Sequence, residues 1–405
     1  MSIDSVNRAL HTRLERVDWD FRGYVPNRST QGIHSLHWYP APFPSALAGT
    51  LLDILAPDGG VYLDPFAGSA VGPLEAWIRG MRAYGVDSNR FAVEIGRAKI
   101  QLLSDGSPEW GDEFAADYWA FQAKSKEDLA SSSSKELCAL GGFECDAEQW
   151  FSRQALRDIV VAKRWLASIA GEARVSILRA ILSSLLHRSS ELRDVHYTYI
   201  VDRSRTLAPP ATAANLPADY RDKIVRVARG AAVAHAELVA TGCDLGLDNA
   251  PALIAMRAQD LDQGVQSRVD VVVTSPPYFG MNDYVRSQYL SWLVDPWPGY
   301  SDDLANEAGA RRDRRNVQRL GEYLVAMDEA FAKVYDVLRP GGLLAIVVGQ
   351  SQTRLAKEHD PVANLREALR ARGFVSVWES ERRVRFRKIN NIRNPVESLW
   401  VFERP

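Results

Sequence analysis

The order of apolar strands and amphipathic helices between residues 59 and 103 most constrains the fold of this chain. Residues 59–64 and 83–87 are short apolar runs, and each ends in an aspartate. Helical periodicity follows each run, over residues 71–79 and 91–103. A strand–helix–strand–helix order is typical of a parallel sheet covered by helices, so an α/β fold is predicted.

The same alternation resumes after residue 251. Strands are predicted over residues 252–256, 269–274, 343–348, 374–378 and 398–402, with helices over 323–338 and 361–372. Residues 105–245 show helical periodicity and no convincing strand. We therefore expect one α/β domain, residues 31–104 and 246–405, that is interrupted by a helical insertion over 105–245 and preceded by an extension over 1–30.

Composition places few limits on function. The chain has 405 residues, 46% of them hydrophobic and 25% charged, which is usual for a globular protein in water. No apolar run approaches membrane-spanning length, and the first residues lack a signal segment, so a cytoplasmic protein without membrane contact is expected. The cysteines form no CxxC pair and the histidines offer no zinc spacing, so we expect no metal.

The segment 271–278, Val-Val-Val-Thr-Ser-Pro-Pro-Tyr, reads as a buried strand that ends in a rigid loop. Pro276 and Pro277 fix the backbone and remove two N–H donors. The carbonyls of Ser275 and Pro276 are then available to accept hydrogen bonds beside the ring of Tyr278. This arrangement suits a planar amine held by its N–H groups, although a Pro-Pro pair after a strand can also be only a turn.

The turn over residues 64–70, Asp-Pro-Phe-Ala-Gly-Ser-Ala, is a candidate ligand loop, because Gly68 allows close approach of the backbone. It lacks the GxGxxG spacing, so a dinucleotide is not implied. Asp87 ends the next strand, where an acid can accept hydrogen bonds from two ribose hydroxyls. The alternative for Asp87 is a cap on the helix that follows.

Together, these motifs resemble the DNA amino-methyltransferases that use S-adenosyl-L-methionine, in the alpha order of motifs. The resemblance implies a Rossmann-like methyltransferase domain with a mostly parallel seven-stranded sheet, a cofactor-binding first part and a catalytic second part. It implies catalytic roles for Ser275, Pro276, Pro277 and Tyr278. It implies cofactor contacts for Tyr39, Phe43, Asp64, Phe66, Gly68, Ser69, Asp87 and Asp260, with Asp262 as a competitor of Asp260. Ala70 and Pro42 depart from the family, which usually has Gly and often Lys there.

The resemblance also implies transfer of a methyl group to a base that has left the duplex. Ser275 favours the N4 amine of cytosine, because the family often has Ser there in enzymes of that type. Methylation at cytosine C5 is not expected, since none of the three cysteines follows a proline. Adenine N6, an RNA base amine, and a non-catalytic cofactor-binding regulator of DNA stay open as alternatives.

The resemblance implies DNA as a partner and leaves a cognate restriction endonuclease as an open second partner. The net charge of −2 does not favour nucleic acid, but the charge is unevenly distributed. We expect phosphate contacts from a C-terminal basic stretch: Arg383, Arg385, Arg387 and Lys388. The arginines over 311–319 are either a similar surface or a solvated helix face. The insertion is a candidate target-recognition region or a dimerisation element.

Overall fold

The structure is a computed structural model. It describes residues 3–21, 32–40, 44–144, 147–191, 215–265, 268–349, 351, 353–384 and 396–405. Phe43, Arg385, Arg387 and Lys388 lie outside these residues.

Seven strands form one sheet in the order β3-β2-β1-β4-β5-β7-β6. Their bounds are β1 Val61–Asp64, β2 Arg82–Asp87, β3 Ala252–Ala255, β4 Val269–Thr274, β5 Leu338–Gly349, β6 Val375–Arg383 and β7 Val396–Glu403. Strands β1 to β5 pair in parallel, whereas β7 pairs antiparallel with both β5 and β6. The expected α/β class and the mostly parallel seven-stranded sheet are confirmed.

Helices cover the sheet and form most of the described residues between β2 and β3. The first group is α1 Ile3–Glu15, α2 Ser45–Leu55, α3 Val71–Trp77 and α4 Arg90–Asp105. The second is α5 Glu109–Asp128, α6 Ser134–Gly141, α7 Arg153–Ser168, α8 Glu172–Ser189 and α9 Leu216–Ala240. The third is α10 Leu261–Gly264, α11 Tyr289–Val294, α12 Tyr300–Asn306, α13 Val317–Val337, α14 Arg354–His359 and α15 Pro361–Ala371. No helix within the described residues is long and apolar enough to span a membrane.

The central strands are apolar on both faces because both faces are covered. Side chains of a strand alternate between the two faces, so Val271 and Val273 pack in one core with α1 and α2. Val272 packs in a second core with α13 and α15 on the opposite face. This two-sided burial explains the unbroken valine run.

The order of the strands fixes where a ligand site can lie. The chain moves outward from β1 to β2 and β3, and then returns to place β4 on the other side of β1. The loops after β1 and β4 therefore leave the carboxyl edge of the sheet side by side and diverge. Such a switch point is the usual place for a ligand in an open α/β sheet.

Between α4 and β3, the described residues form helices and turns, without a strand. Their apolar side chains pack against α4, so that Trp165 and Leu178 share a core with Val93 and Leu102. Trp165 is fully buried and lies 5.0 Å, between ring centroids, from Tyr118. The helical insertion therefore packs against the helix layer of the sheet.

Candidate active site

A cavity of about 280 Å³ lies at the carboxyl ends of β1, β2, β3 and β4. Residues that follow all four strands line it, and α13 and the segment 305–309 supply another wall. The expected site residues that line it are Tyr39, Asp64, Phe66, Gly68, Ser69, Asp87, Ser275, Pro277 and Tyr278. The switch point thus brings both motifs to one cavity.

Asp64 joins the two loops at the switch point. Its carboxylate accepts a hydrogen bond of 2.6 Å from Oγ1 of Thr274, the last residue of β4, and one of 3.0 Å from the N–H of Phe66. Burial raises the pKa of Asp64 to about 7, although these two hydrogen bonds act in the opposite direction. Asp64 therefore holds the ends of β1 and β4 together.

The turn after β1 is narrow because two of its residues have positive φ. Gly68 has a φ of +50°, and a Cβ there would lie 3.0 Å from the ring of Tyr39. Ala70 has a φ of 64° and precedes α3. The left-handed conformation costs an L-residue about 1–2 kcal/mol, so a glycine at position 70 would relieve strain in this turn.

A buried lysine that the sequence analysis missed supports the same turn. Lys99 of α4 is 1% exposed, and its Nζ donates hydrogen bonds of 2.9 Å to both the carbonyl oxygen and Oγ of Ser69. Burial lowers the pKa of Lys99 to about 7. The available signal was the position of Lys99 four residues after Ile95, on the apolar face of the helix.

Asp87 presents both carboxylate oxygens next to the turn. One accepts a hydrogen bond of 2.8 Å from the N–H of Gly68, and the other one of 2.8 Å from the N–H of Asn89. Burial raises the pKa of Asp87 to about 6, against the lowering effect of these bonds. The side chain that caps α4 is Asn89, which accepts from the N–H of Ala92, so Asp87 is not the cap.

Asp260 lies in a turn beside the cavity. Its carboxylate accepts hydrogen bonds of 2.8 and 3.2 Å from the guanidinium of Arg257. The residues of this turn that line the cavity are Arg257, Ala258 and Gln259. The competitor Asp262 is paired with Lys333 at 2.7 Å. The cofactor role of Asp260 stays a prediction.

The loop after β4 has hydrogen-bond acceptors beside the cavity. Among the described residues, no group donates to the carbonyl of Ser275 or to that of Pro276. The carbonyl of Pro277 accepts a hydrogen bond of 3.0 Å from the hydroxyl of Tyr323, which fixes the loop against α13. Ser275, Pro277 and Tyr278 line the cavity, whereas Pro276 is buried behind it.

Tyr278 is 8% exposed and is held at both its ring and its hydroxyl. The ring packs against the end of β5, where a Cβ on Gly349 would lie 2.6 Å from Cε2 of Tyr278. The hydroxyl donates to Oε1 of Glu397 at 3.1 Å and accepts from Oγ of Ser275 at 3.0 Å. Glu397 was not identified from the sequence, because its role depends on the register of β7 beside β5.

Another wall of the cavity is built by aromatic and charged residues that the sequence analysis did not assign, apart from Tyr39. Tyr39 stacks on Tyr284 with a centroid distance of 6.1 Å. Glu307 accepts hydrogen bonds from the backbone N–H groups of Tyr284 and Val285, and it pairs with Arg312 at 2.6 Å. Burial raises the pKa of Glu307 to about 7.

The two basic stretches differ in their surroundings. Arg383 is exposed at the end of β6, whereas its neighbour Arg382 is buried and pairs with Glu397 at 2.7 Å. In the stretch over 311–319, Arg312 is committed to Glu307 and Arg319 pairs with Glu322 at 2.7 Å. Within the described ranges, no group of three or more His, Cys, Asp or Glu side chains could hold a metal ion.

No protein-family model and no curated protein matches the chain. Two solved structures of the rRNA methyltransferase aviRa from Streptomyces viridochromogenes are similar to it, with sequence identities of 13% and 14% and TM-scores of 0.38 and 0.37. Each similarity covers 97% of this chain and 95% of the other. Similarity of this size supports no conclusion about activity, which must be inferred from the cavity itself.

Proposed function

We propose that this protein is a methyltransferase that uses S-adenosyl-L-methionine to methylate an exocyclic amine of a nucleic-acid base. The observation that carries the proposal is the meeting of three features in one cavity: the turn after β1, Asp87, and the loop 275–278. A structural turn of two prolines would not need to share a cavity with a glycine turn and a half-buried acid.

The cavity wall fits the cofactor in three respects. Each oxygen of Asp87 accepts one backbone N–H, which leaves lone pairs for the two ribose hydroxyls. Because Gly68 has no side chain, a space remains between its backbone and the ring of Tyr39, which a side chain would fill. The apolar side chains of Phe66 and Met327 line the same cavity and suit the adenine ring. Bound there, S-adenosyl-L-methionine would supply the methyl group.

The other side of the cavity suits an amine. An exocyclic amine is a weak nucleophile because its lone pair is delocalised into the ring. Oγ of Ser275 lines the cavity and can accept one of its N–H groups, which favours a pyramidal nitrogen. The family resemblance assigns the second N–H to the carbonyl of Pro276, although Pro276 does not line the cavity, and Tyr278 would stack on the base. The contribution of these residues is mainly to hold the amine in line for transfer.

We further propose DNA as the substrate and the N4 amine of cytosine as the acceptor. Ser275 favours cytosine through the family resemblance, and the base must leave the duplex to reach the cavity. Arg383 with Arg385, Arg387 and Lys388 would contact phosphates, and the helical insertion would take part in target recognition. A cognate restriction endonuclease is an open second partner, and we infer a cytoplasmic location.

The direct test is to incubate the purified protein with the methyl-labelled cofactor and either unmethylated plasmid DNA or total RNA. Each nucleic acid is then digested to nucleosides and the labelled base is identified by mass. We expect N4-methylcytosine in DNA. N6-methyladenine would identify adenine as the acceptor base. Label in RNA alone would identify RNA, and not DNA, as the substrate. No label in either, with cofactor bound, would support a non-catalytic regulator.

A variant separates the catalytic from the structural role of Tyr278. We expect Tyr278→Ala to bind the cofactor product S-adenosylhomocysteine normally in calorimetry, because Asp87 and the turn are unchanged. Methyl transfer should fall by at least tenfold, since stacking is worth about 1–3 kcal/mol per base and the amine is also misplaced. Methylation at the parent rate would show that the loop is only a turn.

A further inference from the structure

Three residues on neighbouring strands form a row beside the loop 275–278. The register pairs Gly349 of β5 with Glu397 of β7, and Glu397 with Arg382 of β6. Gly349 has no side chain, and the ring of Tyr278 occupies the space next to it. This packing brings the Tyr278 hydroxyl within hydrogen-bond distance of the next residue in the row, Glu397.

Both oxygens of the Glu397 carboxylate accept a hydrogen bond within this row. Oε2 accepts a hydrogen bond of 2.7 Å from Nε of Arg382, and Oε1 accepts one of 3.1 Å from the hydroxyl of Tyr278. The side chains of Arg382 and Glu397 are 8% and 15% exposed, so their ion pair is largely shielded from water. Removing one partner of a shielded pair is costly, and the pair therefore holds Glu397 in one position.

The chemistry of the groups fixes the direction of each hydrogen bond. A carboxylate can only accept, so Tyr278 must donate its single hydroxyl hydrogen to Glu397. Tyr278 keeps that hydrogen, because burial and the nearby Glu397 raise the pKa of its hydroxyl well above its usual range. The Tyr278 oxygen can then only accept, and the Ser275 hydroxyl, 3.0 Å away, must donate to it.

The directions of these hydrogen bonds determine what Ser275 presents to the cavity. The one hydrogen of the Ser275 hydroxyl points to Tyr278, so Oγ offers only lone pairs to a ligand in the cavity that Ser275 lines. We propose that Glu397, held by Arg382, is a positioning residue that makes Ser275 an obligate acceptor, and that the site thereby selects an N–H donor. This inference rests on the proposed function.

Without Glu397, the Tyr278 hydroxyl could donate to Ser275, and the Ser275 hydroxyl could turn its hydrogen toward the target nitrogen. That arrangement would oppose binding of an amine, because two donors would face each other. We call the chain of hydrogen bonds from Arg382 through Glu397 and Tyr278 to Ser275 the relay. Its loss would affect the rate of methyl transfer and not the affinity for the cofactor, whose contacts lie on the other side of the cavity.

The test is a double-variant cycle of Tyr278→Phe and Glu397→Gln. Tyr278→Phe keeps the ring and removes the hydroxyl, and Glu397→Gln replaces the obligate acceptor by a group that can also donate. We expect each single variant to lower kcat roughly tenfold, with an unchanged Kd for S-adenosylhomocysteine. Because both act through the same hydroxyl, the double variant should have the kcat of Tyr278→Phe. Glu381→Gln, an exposed acid on β6, serves as the matched control and should keep the parent rate.

Several outcomes would overturn the relay. Either single variant with the parent kcat would do so, as would losses that multiply in the double variant. If Glu397→Gln fails to fold, Tyr278→Phe alone decides, since it disturbs neither charge nor packing. An inactive parent protein on both DNA and RNA would instead contradict the proposed function, so the two failures are distinguishable.

Discussion

Three ionisable side chains around the turn after β1 have pKa values that burial moves toward neutrality. The pKa is raised to about 7 for Asp64 and to about 6 for Asp87, and it is lowered to about 7 for Lys99. Asp64 and Lys99 support the turn from behind through Thr274 and Ser69. Asp87 faces the cavity, so its ionisation should affect ligand binding directly.

We predict that cofactor affinity depends on pH through Asp87. Burial raises its pKa to about 6, and only the ionised carboxylate accepts from both ribose hydroxyls. Below that pKa the competent fraction falls about tenfold per pH unit, so affinity for S-adenosylhomocysteine should drop between pH 7 and pH 5. Calorimetry on the parent and on Asp87→Asn is the measurement. The variant should bind weakly at every pH, and near-normal affinity in a folded variant would remove Asp87 from the ribose site.

At the scale of elements, the sequence predicts strands where an apolar run is followed by residues that cannot continue a strand. Two prolines follow soon after the run of Val271 to Val273, and β4 lies over Val269–Thr274 as expected. The helical class of residues 105–245 was predicted, but the bounds of α5 were not, because its sequence is polar and acidic on much of its surface and gives only a weak helical pattern. Its buried side chains, such as Trp110 and Tyr118, are too widely spaced to stand out.

The relay to Ser275 could not be predicted from the sequence for a different reason. Arg382 and Glu397 are 15 residues apart, and Tyr278 is 119 residues from Glu397. Their meeting depends on the register of β5, β7 and β6, which no local pattern specifies. The residues that could be assigned were those within a single loop, such as Ser275 and Tyr278.

Lys99 allows a test of how α4 supports the turn. Its folded-state pKa is lowered from 10.5 to about 7, so between these values the unfolded chain binds more protons and the stability of the parent rises with pH. Lys99→Met removes this term. The free energy of unfolding of the variant minus that of the parent should therefore decrease from pH 7 to pH 9, with a slope of up to about 1.4 kcal/mol per pH unit.

Urea unfolding at pH 6, 7.5 and 9 measures this difference. Asp64 and Asp87 titrate at or below about pH 7 and are present in both proteins, so their contributions largely cancel. A difference that does not change with pH would show that Lys99 stays protonated in the folded state throughout this range, so that burial does not lower its pKa.

At the scale of the whole molecule, the helical insertion shares its core with the α/β domain. Leu74 of α3 and Leu102 of α4 belong to the same cluster as Trp165 and Leu178 of the insertion, and so does Leu290 of α11. α11 follows the loop 275–278 in the chain, so this core connects the insertion to the segment after that loop. The described helices of the insertion therefore do not have a core separate from that of the α/β domain.

We therefore predict that the insertion and the sheet unfold in a single transition. Trp165 is fully buried on α7, and Trp165→Ala should destabilise the whole protein by about 3–5 kcal/mol. Trp119 on α5 is 40% exposed, and Trp119→Ala is the matched control with a much smaller effect. Thermal unfolding followed by calorimetry and by tryptophan fluorescence should give coincident transitions, and S-adenosylhomocysteine should raise the midpoint of both signals equally. The insertion would be an independent domain if a second transition were seen whose midpoint temperature the ligand does not change. In that case Trp165→Ala would lower the midpoint of that transition and leave the other unchanged.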